Sequence, residues 1–339
     1  MINPNVSVII PCRNEEKYID KCIKSILSQS YSGRVEVLIV DGMSDDNTVS
    51  IINELTKVNS NVRLIYNLEK TTPQAMNLGL AASRYDLIIR IDAHAIALPN
   101  FIQNNVNSIY ETEDIMCAGG KIINIYENKI SKAIGMAMSS VFGVGNATFR
   151  VGGEKKFVDT LAFGIYKKEV FDKIGKFDED LVRNQDDELN FRLTKNGYKI
   201  LYNPEIKSEY YVRGSIKKLY KQYYQYGYWK VYVNLKHKTV TTIRQLVPLF
   251  FVLSLLLGIL ISLFFPLFWY LLLLGVCFYT VMALVFGYKA SEDRSETFKI
   301  ARVFPVLHFS YGFGYLIGIF HFLILGKKPS SKNKEISRT

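Results

Sequence analysis

The stretch Leu87-Ile88-Ile89-Arg90-Ile91-Asp92-Ala93-His94-Ala95 decides the fold predicted for this chain. Its apolar first half predicts a buried strand, and Leu98-Pro99-Asn100 beyond it predicts the start of a helix. Asp92 and His94 directly follow the last apolar residue. This position predicts that they lie at the carboxyl-terminal edge of a sheet, where open α/β sheets bind ligands. Together they can reach one metal ion or phosphate; alternatively, Asp92 caps the next helix and His94 lies in a loop.

The sequence before this stretch alternates between predicted strands and predicted helices. Apolar runs predict strands over 6–10, 35–40, 62–66 and 86–91, with helical apolar spacing between them. This alternation predicts a mostly parallel sheet with right-handed crossovers. Three of these strands are followed by polar pairs: Arg13 and Glu15, Asp41 and Asp45, Asp92 and His94. The chain lacks G-x-G-x-x-G after its first strand and lacks a Walker A sequence, which argues against a dehydrogenase and a P-loop NTPase.

The pattern after residue 100 is less regular. It predicts a helix, a short strand over 115–121, glycine-interrupted helical segments to 146, a strand over 158–165, and helices over 167–174 and 187–197. Three acids, Asp186, Asp187 and Glu188, stand at the beginning of the last helix. They suit the helix dipole, so capping is one interpretation. Because the cluster is denser than one cap requires, a functional site is the other.

The composition indicates an anionic partner. The 339 residues carry a formal net charge of +11, which is typical of proteins that meet nucleic acid, acidic lipid or a phosphate-bearing substrate. Four scattered cysteines without a metal-finger spacing predict reduced thiols in a cytosolic setting. The apolar run 6–10 is ended by Pro11 and is too short for a signal peptide.

The second half of the sequence predicts membrane association. Residues 213–244 hold eight Lys or Arg, six Tyr and Trp229, and no Asp or Glu, which predicts an interfacial helix on an anionic leaflet. Nucleic-acid binding is the alternative interpretation, and the adjacent apolar sequence argues against it. We expect transmembrane helices over 245–326, with a hairpin over 246–288 and a third apolar segment over 303–325. The third segment spans the membrane or is re-entrant.

The distribution of basic residues predicts the orientation of these segments. Lys and Arg flank the hairpin on both sides and are absent at its Pro266 turn, which predicts that residues 1–212, a catalytic domain, face the cytoplasm. The basic tail 327–339 also favours the cytoplasm, although three full spans place it outside. His308 and His321 in the third segment are predicted to be packed polar residues of a helix bundle rather than ligands.

Five motifs, taken in order, resemble those of the family 2 glycosyltransferases, which have the GT-A fold. The resemblance covers residues 5–215 and rests on the order and spacing of the motifs. They are Val-Ser-Val-Ile-Ile-Pro-Cys-Arg-Asn-Glu-Glu at 6–16, Val-Asp-Gly-Met-Ser-Asp-Asp-Asn-Thr at 40–48, Ala75-x-Asn77-x-Gly79, Asp92-Ala93-His94 and Gln185-Asp186-x-Glu188-Leu189-x-x-Arg192. The last two motifs resemble the branch that includes the succinoglycan-type glucosyltransferases of bacterial exopolysaccharide assembly.

The resemblance implies a site for a UDP-sugar and a divalent cation, Mn²⁺ or Mg²⁺. The implied nucleotide-sugar site comprises Pro11, Arg13, Glu15, Asp41, Asp45, Asn77, Asp92 and Arg192. Asp41 and Glu15 would hold the uracil and ribose, and Pro11 and Arg13 would shape that pocket. Asp92 and His94 would hold the cation, and His94 stands where the family usually has aspartate. Carboxylate and imidazole ligands suit either metal.

The resemblance also implies a catalytic base. Asp186 matches the residue that takes the proton from the acceptor hydroxyl during direct, inverting displacement, and Asp187 is the second candidate. Gln185 replaces the glutamate that usually precedes this base. Arg192 either neutralises phosphate or forms a structural ion pair with the acidic cluster, and the sequence does not separate the two.

The function implied is that of a membrane-bound inverting glycosyltransferase in the cytoplasmic membrane of a bacterium. Its implied acceptor is a polyprenyl-linked glycan, and anionic membrane lipid is an expected partner, whereas nucleic acid is not. The Gln-x-x-Arg-Trp motif of processive synthases is absent, which favours transfer of one sugar per encounter. Two alternatives remain: a transferase acting directly on a polyprenyl phosphate or a protein, and a non-catalytic nucleotide-sugar-binding subunit.

Overall fold

The computed structural model describes residues 3–329, so Lys332 and Lys334 of the predicted basic tail lie outside the described residues. The chain divides into two compact units. The sheet unit contains residues 3–123 and 152–211, and the helical unit contains residues 124–151 and 212–329.

The described strands and helices, in chain order, have the following bounds. The strands are β1 Val6–Cys12, β2 Val35–Asp41, β3 Val62–Tyr66, β4 Leu87–Arg90, β5 Ala95–Ala97, β6 Ile115–Ile125, β7 Lys156–Phe157, β8 Gly164–Lys167 and β9 Lys199–Tyr211. The helices are α1 Ile19–Leu27, α2 Thr48–Val58, α3 Thr72–Ala82, α4 Phe101–Ile109, α5 Lys129–Met138, α6 Val141–Val144, α7 Thr148–Val151, α8 Glu169–Ile174, α9 Gln185–Lys195, α10 Ile216–His237, α11 Val247–Ser262, α12 Leu267–Ala290, α13 Thr297–Ala301 and α14 Val303–Gly318. Short 3₁₀ helices cover Ile243–Leu246 and Arg294–Glu296, and a π-helix covers Ile319–Ile324.

The sheet unit is built on one mixed sheet. Its strand order within the described residues is β3-β2-β1-β4-β8-β6-β9-β5, and β7 also pairs with β9. Strand β1 pairs in parallel with β2 and β4, and β2 pairs in parallel with β3, whereas β8 runs antiparallel to β4 and β6. The predicted α/β fold with its parallel strands is therefore confirmed, with antiparallel strands added on one side.

Burial explains why the first strands form the centre of this sheet. Apolar residues of β1, β2 and β4 are buried on both faces, as parallel strands covered by helices require. Helix α3 approaches β1 closely at Gly79, where an added Cβ would lie 2.5 Å from a side-chain carbon of Ile9. The absence of a side chain at Gly79 therefore allows α3 to pack closely against β1.

The structure of the sheet unit departs from the sequence predictions at β8 and β9. The predicted strand over 158–165 is wrong in its extent, because 158–163 forms no strand and β8 covers only Gly164–Lys167. Strand β9, the longest described strand with 13 residues, was not predicted. Its sequence contains Pro204 and several charged residues, so it lacks the apolar pattern of a strand. It forms a strand by pairing with β5 and β7.

The segment 124–151 belongs to the helical unit, although the sequence analysis included it in the 1–212 domain. Two sets of contacts hold it there. Lys132 of α5 forms ion pairs with Glu292 at 3.2 Å and Glu296 at 3.1 Å. His308 Nε2 donates to the carbonyl of Phe142 at 2.7 Å, and its Nδ1 accepts from the Tyr279 hydroxyl at 2.8 Å. His308 is thus a packed polar residue, as predicted.

The described residues include three helices long and apolar enough to cross a membrane: Ile243–Ser262, Leu267–Ala290 and Arg294–Ile324. Most of the large apolar side chains of α11 and α12 are exposed, as expected for lipid-facing helices. The predicted hairpin is present, with α11 ending at Ser262 and α12 beginning at Leu267.

Helix α10, predicted to lie at the membrane interface, packs along α14. The contact is made through glycines on both helices. An added Cβ at Gly227 would lie 2.0 Å from the carbonyl oxygen of Tyr311, and one at Gly314 would lie 2.0 Å from that of Tyr224. Small residues that allow such backbone contact are typical of helix pairs in membranes. Trp229 of α10 is fully buried, so this helix is part of a bundle.

This contact predicts a large difference between two glycine-to-alanine substitutions. Gly314→Ala is expected to lower the free energy of unfolding by about 1–3 kcal/mol, because the new methyl group overpacks the α10–α14 contact. Gly275→Ala in α12 is the matched control, since nothing lies within 4 Å of an added Cβ there. Thermal unfolding of both variants in detergent measures the difference. Equal melting temperatures would show that α10 and α14 are not in close contact.

Candidate active site

The carboxyl ends of β1, β2 and β4 bring three polar loops to one edge of the sheet. Hydrogen bonds join the first two loops: the Asn14 amide donates to Ser44 Oγ at 2.8 Å, and the Asp45 amide donates to Asn14 Oδ1 at 3.0 Å. The Glu15 amide donates to Thr48 Oγ1 at 2.8 Å. Asn14 and Met43 adopt the left-handed conformation. The two loops are therefore held as one rigid rim.

Asp41 is the most buried acid of this rim and is fully shielded from solvent. Its carboxylate accepts hydrogen bonds from the Ser44 amide at 2.9 Å and from Ser44 Oγ at 2.5 Å. Asp45 is exposed at the surface of the same loop. Arg13 lies against Gly42, and its Nε is buried without a hydrogen-bond partner. A buried donor of this kind is available to a ligand.

The centre of the site is an ion triplet that the sequence did not reveal. Arg90 Nη2 donates to Asp92 Oδ1 at 3.1 Å, and Arg90 Nη1 lies 3.2 Å from Asp186 Oδ2. The Arg90 side chain is 5% exposed, whereas Asp92 and Asp186 are 26% and 25% exposed. The arginine therefore forms the floor, and the two carboxylates that it joins face the solvent. The triplet brings the end of β4 against the first turn of α9.

A second ion pair lies beside this triplet. His94 Nδ1 is 2.9 Å from Glu15 Oε1, and the imidazole packs edge-on against Tyr210 at 4.9 Å between ring centroids. Burial acts to lower the pKa of His94, but its interactions with Tyr210, Glu15 and Asp92 outweigh burial and raise this pKa to about 9. The Glu15 contact fixes the orientation of the imidazole, as outer-sphere carboxylates do for metal-binding histidines.

The two carboxylates of the triplet differ in acidity. Burial opposes ionisation of Asp92, but Arg90 and His94 hold the pKa of its carboxyl below the usual value. Burial raises the pKa of Asp186, assisted by Asp187 and Asp92 and opposed by Arg90. Neighbouring acids with pKa values pushed in opposite directions are typical of sites that divide charge stabilisation from proton transfer.

The donor set at this edge suits a cation that is held jointly with a phosphate. Among residues 3–329, no group of three or more His, Cys, Asp or Glu is arranged to hold a metal ion. Asp92 and His94 would supply two ligands, and Mg²⁺ typically takes one or two protein carboxylates together with substrate phosphates and water. Because the pKa of His94 is raised, metal binding to its imidazole would release a proton.

The first turn of α9 also carries Gln185 and Asp187. The Asp187 amide donates to Asp186 Oδ1 at 3.1 Å, so Asp186 caps the helix start and still reaches Arg90. Gln185 is buried, and its Oε1 has no hydrogen-bond partner. Gln185 Oε1 is therefore an acceptor that is available to a ligand at the strand ends.

Two residues that the resemblance placed in the nucleotide-sugar site brace other parts of the fold. Arg192 Nε and Nη2 donate to the Glu188 carboxylate, each at 2.8 Å, and Nη1 donates to the carbonyl of Gly175 at 2.8 Å. The Asn77 amide donates to the carbonyl of Phe177 at 2.9 Å and accepts from its amide at 3.0 Å. These bonds favour the structural interpretation of Arg192 and give Asn77 a bracing role.

The structural role of Arg192 leads to a stability prediction. Glu188 is fully buried, and Arg192→Met would remove the two charged hydrogen bonds that the guanidinium donates to its carboxylate. We expect the free energy of unfolding to fall by about 3–5 kcal/mol. Lys195→Met on the exposed side of the same helix is the control and should change it by less than about 0.5 kcal/mol. Unchanged stability of Arg192→Met with a large rise in KM for the donor would assign Arg192 to phosphate binding instead.

Comparisons with known proteins agree on the class to which this chain belongs. The family model described as "Glycosyl transferase family 2" matches residues 7–175. The chain is 35% identical, over 66% of its length and 71% of the other, to dolichyl N-acetyl-alpha-D-glucosaminyl phosphate 3-beta-D-2,3-diacetamido-2,3-dideoxy-beta-D-glucuronosyltransferase of Methanococcus voltae. It is 28% identical to the succinoglycan biosynthesis protein ExoA of Rhizobium meliloti, over 71% of this chain and 74% of that one.

A solved structure shows the same fold. A mannosyltransferase from Pyrobaculum calidifontis, in complex with GDP-Man and Mn²⁺, superposes with a TM-score of 0.51 at 17% identity. The match covers 67% of this chain and 63% of that chain. At this identity the comparison concerns the fold alone, and it agrees with the GT-A architecture expected from the motifs.

Proposed function

Because the chain belongs to glycosyltransferase family 2, we propose that it transfers a sugar with inversion from a UDP-sugar to a lipid-linked glycan. The Asp92–Arg90–Asp186 triplet carries this proposal. It holds Asp92, whose pKa is lowered, beside Asp186, whose pKa is raised, at the sheet edge where α/β proteins bind ligands. Donor activation and acceptor deprotonation need these two kinds of carboxylate within one site.

The donor half of the proposed site uses the loops after β1, β2 and β4. Asp41 and Glu15 would hold the uracil and ribose, and Arg13 would contribute its unpartnered Nε. Asp92 and His94 would hold a divalent cation, Mn²⁺ or Mg²⁺, which supplies positive charge to the departing diphosphate. The Mn²⁺ in the Pyrobaculum mannosyltransferase structure supports this choice. Arg90 keeps Asp92 ionised and therefore available to the cation.

The acceptor half of the proposed site uses Asp186. Its carboxylate takes the proton of the acceptor hydroxyl while that oxygen forms a bond to the anomeric carbon. The bond from this carbon to the diphosphate oxygen breaks at the same time, and UDP leaves from the opposite face, so the configuration inverts. The raised pKa of Asp186 makes it a stronger base than an ordinary carboxylate, while a quarter of its side chain stays exposed to an incoming acceptor.

The names of the relatives and the helical unit support the proposed acceptor and location. The Methanococcus relative is named for a dolichyl-phosphate-linked sugar, and the Rhizobium relative for succinoglycan biosynthesis. Three candidate membrane spans and the basic 213–244 segment suit a bacterial cytoplasmic membrane with anionic lipid. The sheet unit would face the cytoplasm, where nucleotide sugars are made. Direct transfer to a polyprenyl phosphate or to a protein is the second candidate.

A donor screen tests the proposed function. The full chain in nanodiscs with Mn²⁺ is incubated with UDP-glucose, UDP-galactose, UDP-N-acetylglucosamine or UDP-glucuronate, with and without a membrane lipid extract, and UDP release is measured. We expect one donor to give lipid-dependent release that is lost on adding EDTA. Failure of every donor, together with no UDP binding by calorimetry, would reject the UDP-sugar assignment. Lipid-independent release with a protein acceptor would favour the second candidate.

A further inference from the structure

The helical unit contains an apolar groove that the catalytic chemistry does not use. Its volume is about 530 Å³, within the range of pockets that take organic ligands. The C-terminal part of α10, the connection to α11, the start of α11 and the end of α14 form its walls. Its apolar lining residues are Val231, Leu235, Val240, Leu246, Leu249, Ile319 and Leu323. Two candidate membrane spans therefore contribute to this groove.

Most of the hydrogen-bonding groups inside the groove already have partners within the protein. Asn234 Nδ2 donates to the Tyr315 hydroxyl at 2.8 Å, and Asn234 Oδ1 accepts from both the amide and the hydroxyl of Thr241 at 3.0 Å. The remaining charged group of the lining is Lys238, which is exposed and follows the last turn of α10. A hydrocarbon surface with one ammonium group beside it complements an amphiphile with an anionic head.

The backbone of one wall is unusual. Helix α14 changes to a π-helix over Ile319–Ile324, and Ile319 and Leu323 of that turn line the groove. The π-helix is rare and frequently marks a functional site. Here it places two apolar side chains, four residues apart, along the groove.

We propose that this groove binds the hydrocarbon chain of the polyprenyl diphosphate that carries the acceptor glycan, with Lys238 contacting its phosphates. This inference rests on the proposed function. This single groove suits a lipid with one hydrocarbon chain, whereas a phospholipid has two acyl chains to accommodate. The charge also fits, because residues 213–291 contain no Asp or Glu to repel a diphosphate.

Two matched pairs of variants test the proposal in the full chain in phosphatidylcholine nanodiscs. Leu323→Trp fills the groove, and Ile324→Trp adds the same bulk to the next residue, which does not line it; both positions are more than half exposed, so both variants should fold. Lys238→Gln removes the ammonium of the groove, and Lys236→Gln removes an exposed one outside it. The probe is a polyprenyl diphosphate with a benzophenone at its chain end, and labelled peptides are mapped by mass spectrometry.

We expect the unmodified protein to be labelled on groove residues. Leu323→Trp should reduce labelling at least fivefold and Lys238→Gln about threefold, while Ile324→Trp and Lys236→Gln leave it unchanged. Equal labelling of Leu323→Trp and Ile324→Trp would overturn the proposal. Displacement of the probe by an equal concentration of phosphatidylglycerol would also overturn it, because the groove would then hold bulk lipid. Labelling needs no sugar transfer, so groove labelling without transfer to this lipid rejects the acceptor assignment separately from the groove.

Discussion

Asp186→Asn is expected to reduce kcat about 10²–10⁴-fold, the range that a positioned general base contributes. The amide keeps the size of the carboxylate and can still accept the hydrogen bond from the Asp187 backbone. It cannot take a proton from the acceptor hydroxyl. The loss should therefore appear in kcat, with little change in the melting temperature or in UDP binding. Initial rates of UDP release at saturating donor and acceptor measure it.

Asp187→Asn is the matched control for this experiment. Asp187 occupies the same first turn of α9, and Asp186 is the residue that lies 3.2 Å from Arg90. We expect Asp187→Asn to retain kcat within a few-fold of the unmodified enzyme. If Asp187→Asn loses activity and Asp186→Asn keeps it, the base is Asp187. Full activity in both would show that neither acid is the base.

Much of the site could be predicted because parallel strands present their carboxyl ends at one edge. The pairs after β1, β2 and β4 are far apart in sequence, yet the alternation of strands and helices places them together. The structure brings Glu15 and His94, 79 residues apart, to 2.9 Å. The topology of the sheet predicts that these loops lie close together. It does not predict which side chains form the pairs.

Arg90 shows the limit of the sequence argument. It interrupts the apolar run of β4, where a charged residue carries no periodic signal, and its partner Asp186 is 96 residues away (186 − 90). Only the packing of α9 against the end of β4 makes the contact. The partners of Arg192 could not be predicted either. Its guanidinium donates hydrogen bonds to backbone carbonyls of a loop, and the motif does not specify the course of that loop.

The boundary between the two units was equally invisible in the sequence. Residues 124–151 have the glycine-interrupted helical pattern of many soluble segments, and no charge run separates them from the strands on either side. Their assignment to the helical unit depends on Lys132 and Phe142 meeting partners more than 150 residues later. Long-range contacts of this kind leave no local pattern from which to predict them.

Arg90 gives the second large prediction, because one side chain serves both halves of the proposed reaction. Arg90→Gln leaves Asp92 and Asp186 without their shared positive charge. An opposite charge favours the ionised form of an acid, so its removal raises the pKa of Asp186 further. The carboxylate is the active form of a base, and activity is lost as the pH falls through its pKa. The acid limb of the kcat profile should therefore move to higher pH in Arg90→Gln.

Geometry adds a second effect to this change of charge. Arg90 holds Asp92 and Asp186 through two different nitrogens, and a misplacement of about 1 Å can cost about 10²-fold in rate. We expect kcat of Arg90→Gln to fall by about this factor at the pH optimum, with a higher KM for Mn²⁺. Arg90→Lys keeps the charge but lacks the planar fork, so its acid limb should stay near that of the unmodified enzyme while kcat stays low. The acid limb of Arg90→Gln could instead stay unshifted, and its loss of rate could match the fraction of protein that is unfolded. That result would restrict Arg90 to a structural role.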